Sequence, residues 1–250
     1  MTRQELEAKG KAMRERLLGP GAPEVGGGYD QFAAEAIFGG IWNRPGLDFE
    51  ARMICTLASL SALERLDHLR RHIAAAVRAG MQPQTMIEVF IQCGLYAGFP
   101  TAENAIAVTR EVLAEHGIDL PAPERRTDSL EELSRRGRDL LQRLHGERGS
   151  QGYASADNPV TGALYPTAIQ YGYGELWFRP GLDMRQRALC AVAAFTALRM
   201  ESQVRKFGQS ALNAGLSREE IIEAIIQTGP YSGFPGALNA LAALSDALRG

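Results

Sequence analysis

Along this chain apolar residues recur at helical spacing, and strict apolar–polar alternation never runs far enough to describe a strand. Residues 5–18 and 129–145 each set leucines among charges at helical intervals, which predicts two amphipathic helices. Asp48 and Asp183 are placed to cap long helices, each predicted to run as far as a glycine, Gly80 and Gly215, the residue type favoured just past a helix end. The helix after each glycine opens on Gln82-Pro83 in one case and on the capping box Ser217-Arg218-Glu219-Glu220 in the other. Its core face reads Ile87, Phe90, Ile91 and Leu95, then Ile221, Ile222, Ile225 and Ile226. The fold class expected is all-α, with helices packed in pairs.

These paired features come from an internal repeat. Ile41-Trp42-Asn43-Arg44-Pro45-Gly46-Leu47-Asp48 returns as Leu176-Trp177-Phe178-Arg179-Pro180-Gly181-Leu182-Asp183, a shift of 135 positions. Without a gap the same shift pairs Arg52 with Arg187, Cys55 with Cys190, Gln92 with Gln227, and Tyr96-Ala97-Gly98-Phe99-Pro100 with Tyr231-Ser232-Gly233-Phe234-Pro235. So long a period, present twice, means a duplicated module rather than a solenoid, whose repeats are roughly 20–50 residues. The first module is assigned to residues 1–118 and the second to 129–250. Residues 119–128, rich in proline and charge, form the linker. Glycine-rich stretches at 19–28 and 146–162 read as loops.

Composition narrows the function. The chain has 250 residues, 45% of them hydrophobic, and a net charge of -2 with both signs interspersed, so no basic stripe offers a footprint for nucleic acid or anionic lipid. No apolar run approaches a membrane span, and residues 1–10 lack the apolar core of an export signal. Three separated cysteines, Cys55, Cys93 and Cys190, fit neither a disulfide framework nor a structural zinc site, and suit a reducing cytoplasm. Cys55 and Cys190 lie on apolar stretches and read as small buried hydrophobes. The expected partner is a small molecule.

Trp42, the run Arg44-Pro45-Gly46-Leu47-Asp48 and Arg52 come first. His72 follows, leading Ala75 and Ala76 to Gly80, and then Glu88, Gln92, Tyr96, Gly98 and Pro100. Together they resemble the carboxymuconolactone decarboxylase family, and its γ-carboxymuconolactone decarboxylases more than its alkylhydroperoxidase branch. That branch's Glu-x-x-Cys-x-x-His pattern would need an acid at position 66 and a thiol at 69, where Leu66 and Leu69 stand. The resemblance covers about two thirds of each module. It implies two helical modules forming an internal pseudo-dimer, and trimers or hexamers of modules, so that three chains would supply six.

The reaction so implied parks the electrons left by carbon dioxide on a conjugated lactone carbonyl, and therefore asks for no metal or organic cofactor. The pocket must grip carboxylates, stabilise an oxyanion and move a proton to carbon. Arg44 and Arg52 are the candidates for the grip, since a guanidinium fork binds a carboxylate at two points. His72 stands at the family's histidine and is the candidate acid–base group, its bland alternative being a helix-end histidine near Gly80. His68, one turn earlier, occupies a place where relatives often carry glutamate; a His-x-x-x-His pair alone makes no metal site. Tyr96 is a candidate donor to the oxyanion. Trp42 is assigned to the pocket or the core around it. Glu88 and Gln92 either touch substrate or bond a buried arginine, the second because Glu223 and Gln227 repeat them.

The second module has Phe207 at the histidine position and Gln203 opposite His68, so its own pocket is expected to be silent. Arg179, Arg187 and Tyr231 persist and are available to complete a site across an interface. The leading expectation is a cofactor-independent lyase acting on a small carboxylated lactone or related enolisable acid, by decarboxylation or proton transfer. The alternatives are a biosynthetic isomerase or ring-opening enzyme on the same fold, and a module that has retired to binding or scaffolding.

Overall fold

A computed structural model of the protein describes residues 2–120, 122, 125–151 and 158–248, and these contain helices and no strand. In the first module α1 (Arg3–Leu18) is followed by α2 (Tyr29–Phe32), which runs into a π-helical turn, Ala33–Gly39, and then by α3 (Phe49–Ala62), α4 (Leu66–Arg78), α5 (Pro83–Ala97) and α6 (Phe99–Glu115). The second repeats the order as α7 (Leu130–His145), α8 (Tyr165–Thr167) with its π turn Ala168–Glu175, α9 (Met184–Ala197), α10 (Glu201–Asn213), α11 (Arg218–Ser232) and α12 (Phe234–Leu248). Residues 121, 123 and 124 of the expected linker, and 152–157 of the second glycine-rich loop, lie outside the described residues.

The caps read from sequence are in place. Asp48 accepts the Ala51 N–H at 2.8 Å, Ser217 and Glu220 form a capping box, and Pro83 opens α5. The single long helix expected after each Asp cap is instead two. α3 ends at Leu63, and Glu64 takes a left-handed φ of 51°. The Arg65 N–H then reaches back to the Leu60 carbonyl at 2.9 Å, the six-to-one bond of a Schellman stop. Arg199, at φ 57°, and the Met200-to-Phe195 bond at 2.8 Å repeat it. A non-glycine residue takes this conformation at some cost, so neither stop carries the usual glycine signal.

α3 and α9 lie against each other at the centre of the molecule, and each buries almost its whole length. α5 packs on both, as does α11, so the modules share one continuous hydrophobic core. The stripe read on these two helices is rotated. Met86, Val89, Phe90 and Cys93 are buried on α5 together with Glu88 and Gln92, whereas Ile87, Ile91 and Leu95 are half-buried, and Ile222 on α11 is exposed. The polar pair turns inward because its partners, described below, are buried in the other module.

α1 and α7 each close one end by packing against a π turn. Gly10 and Gly137 make that approach possible, since a Cβ on either would collide with a carbonyl oxygen, that of Ala34 or of Ile169. Gly10 and Gly137 are 127 positions apart, against 135 for the rest of the repeat, so the second glycine-rich loop is longer by eight residues. Among the described residues no helix is long and apolar enough to cross a membrane, and the three cysteines are free and buried.

Candidate active site

α4 carries His72 on its inner face, where the residue is 4% exposed. Nδ1 lies 2.8 Å from the backbone carbonyl oxygen of His68. A carbonyl only accepts, so Nδ1 bears the proton and Nε2 keeps a lone pair. The Tyr231 hydroxyl, from α11 of the second module, stands 3.3 Å from that Nε2. Its oxygen also accepts the indole N–H of Trp42 at 2.8 Å, which directs the phenol proton toward the imidazole. One relay therefore runs from Trp42 through Tyr231 and His72 to the His68 carbonyl. Ring packing holds it: Trp42 stacks on His72 with centroids 6.4 Å apart, and Tyr231 meets the imidazole edge-on at 5.4 Å.

Burial disfavours the imidazolium and lowers His72 to about 4, with the charges of His68 and Arg71 acting the same way and the bond to the His68 carbonyl opposing them. Burial likewise pushes the Tyr231 phenol up. At neutral pH the resting site holds a neutral imidazole with an unprotonated Nε2 beside a protonated phenol.

These groups border a cavity of about 420 Å³. His68, Arg71 and His72 line it from α4, and Pro230 and Tyr231 from α11. The facing wall comes from the first module's amino-terminal segment, including Arg14, Leu18, Pro23, Val25 and Tyr29. Arg14 donates to the carbonyls of Ala22 and Pro23, at 3.3 and 2.8 Å. Asp30 accepts from the N–H groups of Val25 and Gly26, at 3.1 and 2.7 Å. The glycine-rich stretch read as a connecting loop is thus a pinned wall. Ala33, Ile37 and Phe38 reach the cavity from the π turn, a helical irregularity often found at functional sites.

The motif arginines lie elsewhere. Arg44 grips Glu223 of α11 with Nε and Nη2, at 2.6 to 3.1 Å. Arg52, 1% exposed, spends Nη1 on Gln227 at 3.0 Å and Nη2 on Glu223 at 3.0 Å and the Arg44 carbonyl at 2.7 Å. The mirror image is complete. Arg179 grips Glu88, and Arg187 donates to Gln92 at 2.9 Å, Glu88 at 3.3 Å and the Arg179 carbonyl at 2.7 Å. This twofold exchange locks the modules together. Gly46, at φ 90°, allows it, because a Cβ there would sit 2.8 Å from Glu223 Cγ.

Of the residues expected at the site, the structure therefore brings His68 and His72 to the cavity with Trp42 behind them. Arg44 and Arg52 are committed to Glu223, and Glu88 and Gln92 hold the second module's arginines. Tyr96 does not line the cavity; its hydroxyl takes the Gln92 amide at 2.8 Å and its ring packs 4.7 Å from that of Phe195. Sequence reasoning missed Arg71 and the role of Tyr231 beside His72. The repeat pairs Tyr231 with Tyr96 but does not say which module each serves.

In the second module an aromatic cluster stands where the first has its imidazole. Phe207, at the His72 position, is flanked by Phe195, His145 and Trp177, with ring centroids 5.6, 5.8 and 6.2 Å away. His145, from α7, spends Nδ1 on Ser210 at 2.6 Å and Nε2 on the Tyr173 hydroxyl at 2.9 Å. Among the described residues no group of three or more His, Cys, Asp or Glu side chains is gathered to hold a metal ion.

Comparison with known proteins agrees with this duplicated geometry. The model of the carboxymuconolactone decarboxylase family matches residues 27–111 and again 163–246, more than half of the chain. Similar curated proteins include 4-carboxymuconolactone decarboxylase of Acinetobacter baylyi, 36% identical over 39% of this chain and 70% of that protein. Nitrosuccinic acid decarboxylase of Metarhizium robertsii is 29% identical over 33% of this chain and 58% of its own length.

Proposed function

This chain belongs to the carboxymuconolactone decarboxylase family, and from that premise we propose that its first module decarboxylates a small carboxylic acid at the cavity beside His72. The observation that carries the reading is the fixed tautomer of His72, with Nδ1–H on the His68 carbonyl and a bare Nε2 beside the Tyr231 hydroxyl at the cavity wall.

In the proposed step the bond between the carboxylate carbon and its neighbour breaks, carbon dioxide leaves, and the electron pair passes into a conjugated carbonyl of the substrate. The carbon then takes a proton, so the balance is one carboxylate and one proton consumed for one carbon dioxide and one C–H bond formed. His72 supplies that proton after acquiring it from solvent, because a bound anion offsets the burial that keeps the free ring neutral. Tyr231 donates to the oxyanion. No metal or organic cofactor is assigned, since the electron sink belongs to the substrate. Arg44 and Arg52 serve as framework, and the second module, with Phe207 in place of the histidine, is silent. As in the resemblance, three chains assemble into six modules, which sedimentation tests.

The bare Nε2 also favours a second reading, in which His72 removes an acidic C–H proton and returns it at another carbon, a proton shift without loss of carbon dioxide. Product analysis separates the two. On candidate enolisable acids, carbon dioxide release by the wild type and its loss in His72→Phe would support decarboxylation, with the rate falling by about 10²–10⁴-fold, as general acid–base loss commonly does. The variant copies the second module's own Phe207, so helical content should be unchanged. A folded His72→Phe with near-normal kcat would overturn both readings.

A further inference from the structure

We propose, building on the decarboxylase reading, that the His72 cavity takes a monocarboxylic acid with an extended apolar body, its carboxylate against Arg71 and its body along the amino-terminal wall. The inference begins with a count of cations. Arg14, Arg70, Arg71 and Arg78 all border the cavity. Arg14 is held by the Ala22 and Pro23 carbonyls and by Asp30, and Arg70 by Glu111 and Glu115. Arg78 donates to the Leu17 carbonyl at 2.6 Å, at the carbonyl end of α1. Arg71 alone of the four has no hydrogen-bonding or ionic partner among the described residues, and it is exposed beside His72. The motif arginines that would otherwise grip further carboxylates are spent on Glu223. One uncommitted guanidinium matches one carboxylate.

The rest of the cavity argues for what that carboxylate is attached to. Leu18, Val25, Ile37, Phe38, Ala74 and Val112 give the wall an apolar character, and about 420 Å³ is far more space than a carboxylate needs. Val25 is 70% exposed, an apolar side chain at the cavity with nothing yet packed on it. Arg14, Leu18, Pro23 and Val25 all precede residue 27, where the family match begins. The apolar wall is thus built from α1 and the segment that follows it, together with the π turn, α4 and α6, and substrate choice is made along it.

Titration calorimetry of the full chain tests this without turnover. The probes are acetate, hexanoate, 5-phenylvalerate, adipate, propane-1,2,3-tricarboxylate and the neutral 5-phenylvaleramide. Affinity should rise from acetate to hexanoate to 5-phenylvalerate by up to roughly fourfold per methylene buried. Hexanoate should bind better than adipate and the tricarboxylate. Arg71→Gln should weaken hexanoate by about tenfold or more while leaving the amide unchanged, and Val25→Asp should weaken 5-phenylvalerate more than acetate. Tighter binding of the di- or tricarboxylate, indifference to chain length, an Arg71→Gln variant with normal affinity, or no binding of any acid would each overturn the proposal. Its failure is distinct from failure of the decarboxylase reading. A chain that releases carbon dioxide from a short diacid in a His72-dependent way refutes only the substrate class, and one that binds the long monoacids but turns over no acid refutes only the chemistry.

Discussion

The indole N–H of Trp42 is bound by the Tyr231 hydroxyl at 2.8 Å, whereas that of its repeat counterpart Trp177 is buried with no partner among the described residues. The neighbouring glutamines differ as well. Gln227 places an amide N–H on Thr56 Oγ1 at 3.1 Å, and the Tyr231 hydroxyl is met by Trp42, His72 and Thr56. In the mirror position Ala191 has no hydroxyl, so the Gln92 amide turns to Tyr96, whose hydroxyl is 2.8 Å away, and Trp177 is orphaned. Thr56 in one module and Ala191 in the other thus accompany the different bonding of Tyr231 and Tyr96.

Thr56→Ala should let the Gln227 amide capture Tyr231 as Gln92 captures Tyr96. We expect kcat to fall by roughly tenfold, about 1.4 kcal/mol in the barrier, with KM nearly unchanged and the pH profile of kcat/KM displaced. Thr56→Ser should restore both. A purely structural role for Thr56 would lower thermal stability and leave the pH profile where it was.

Acid should destabilise the fold in a defined window. His72 and His145 are both lowered to about 4, chiefly by burial, against 6.5 for the free side chain. Between those values the unfolded chain binds protons that the native state refuses, so stability is full above pH 6.5 and is lost as pH falls toward 4. The loss is on the order of 3 kcal/mol for His72 and less for the part-exposed His145. Urea midpoints at pH 7, 5.5 and 4.5 should show it, and His72→Phe should flatten the slope. An unchanged slope in that variant would mean that the imidazole is protonated in the native protein.

Much of this architecture is legible in the residues, and what is not has physical reasons. The repeat, the Asp48 and Ser217 caps and the proline of α5 act locally, through their own backbone, so spacing reveals them. The stop at Glu64 is hidden because a glutamate adopts the conformation that glycine advertises. Arg44 and Arg52 satisfy the demand for a carboxylate grip, but the carboxylate they hold is Glu223, and only the exchange of α5 and α11 between modules shows it. Tyr231 persists in the second module's sequence, and only the fold shows that its hydroxyl stands 3.3 Å from His72 Nε2 of the first. Arg71 carries no motif at all. It stands out only once the cations around it are seen to be occupied.

Glu88→Ala and Glu223→Ala should be equally damaging to stability, because each leaves two guanidinium groups without their carboxylate, one of them fully buried. Breaking a buried pair in this way costs about 3–5 kcal/mol. Denaturant titration should find the two losses within about 1 kcal/mol of each other. If Glu223→Ala instead left stability intact and raised KM alone, Arg44 and Arg52 would have to be moved back into the binding site.

Restoring a histidine to the second module should not restore a site. Phe207→His returns the residue type, but Gln203 replaces His68, and Phe195, His145 and Trp177 pack around position 207. The Tyr96 hydroxyl, which would have to play the part of Tyr231, is already bonded to Gln92. Exchanging a buried phenyl for a smaller polar ring among these aromatics also loses packing, typically 1–3 kcal/mol. In a His72→Phe background, Phe207→His should therefore lower the melting temperature and recover no carbon dioxide release. Recovered turnover would show that histidine alone makes either module active, and that the relay through Tyr231 and Trp42 is dispensable.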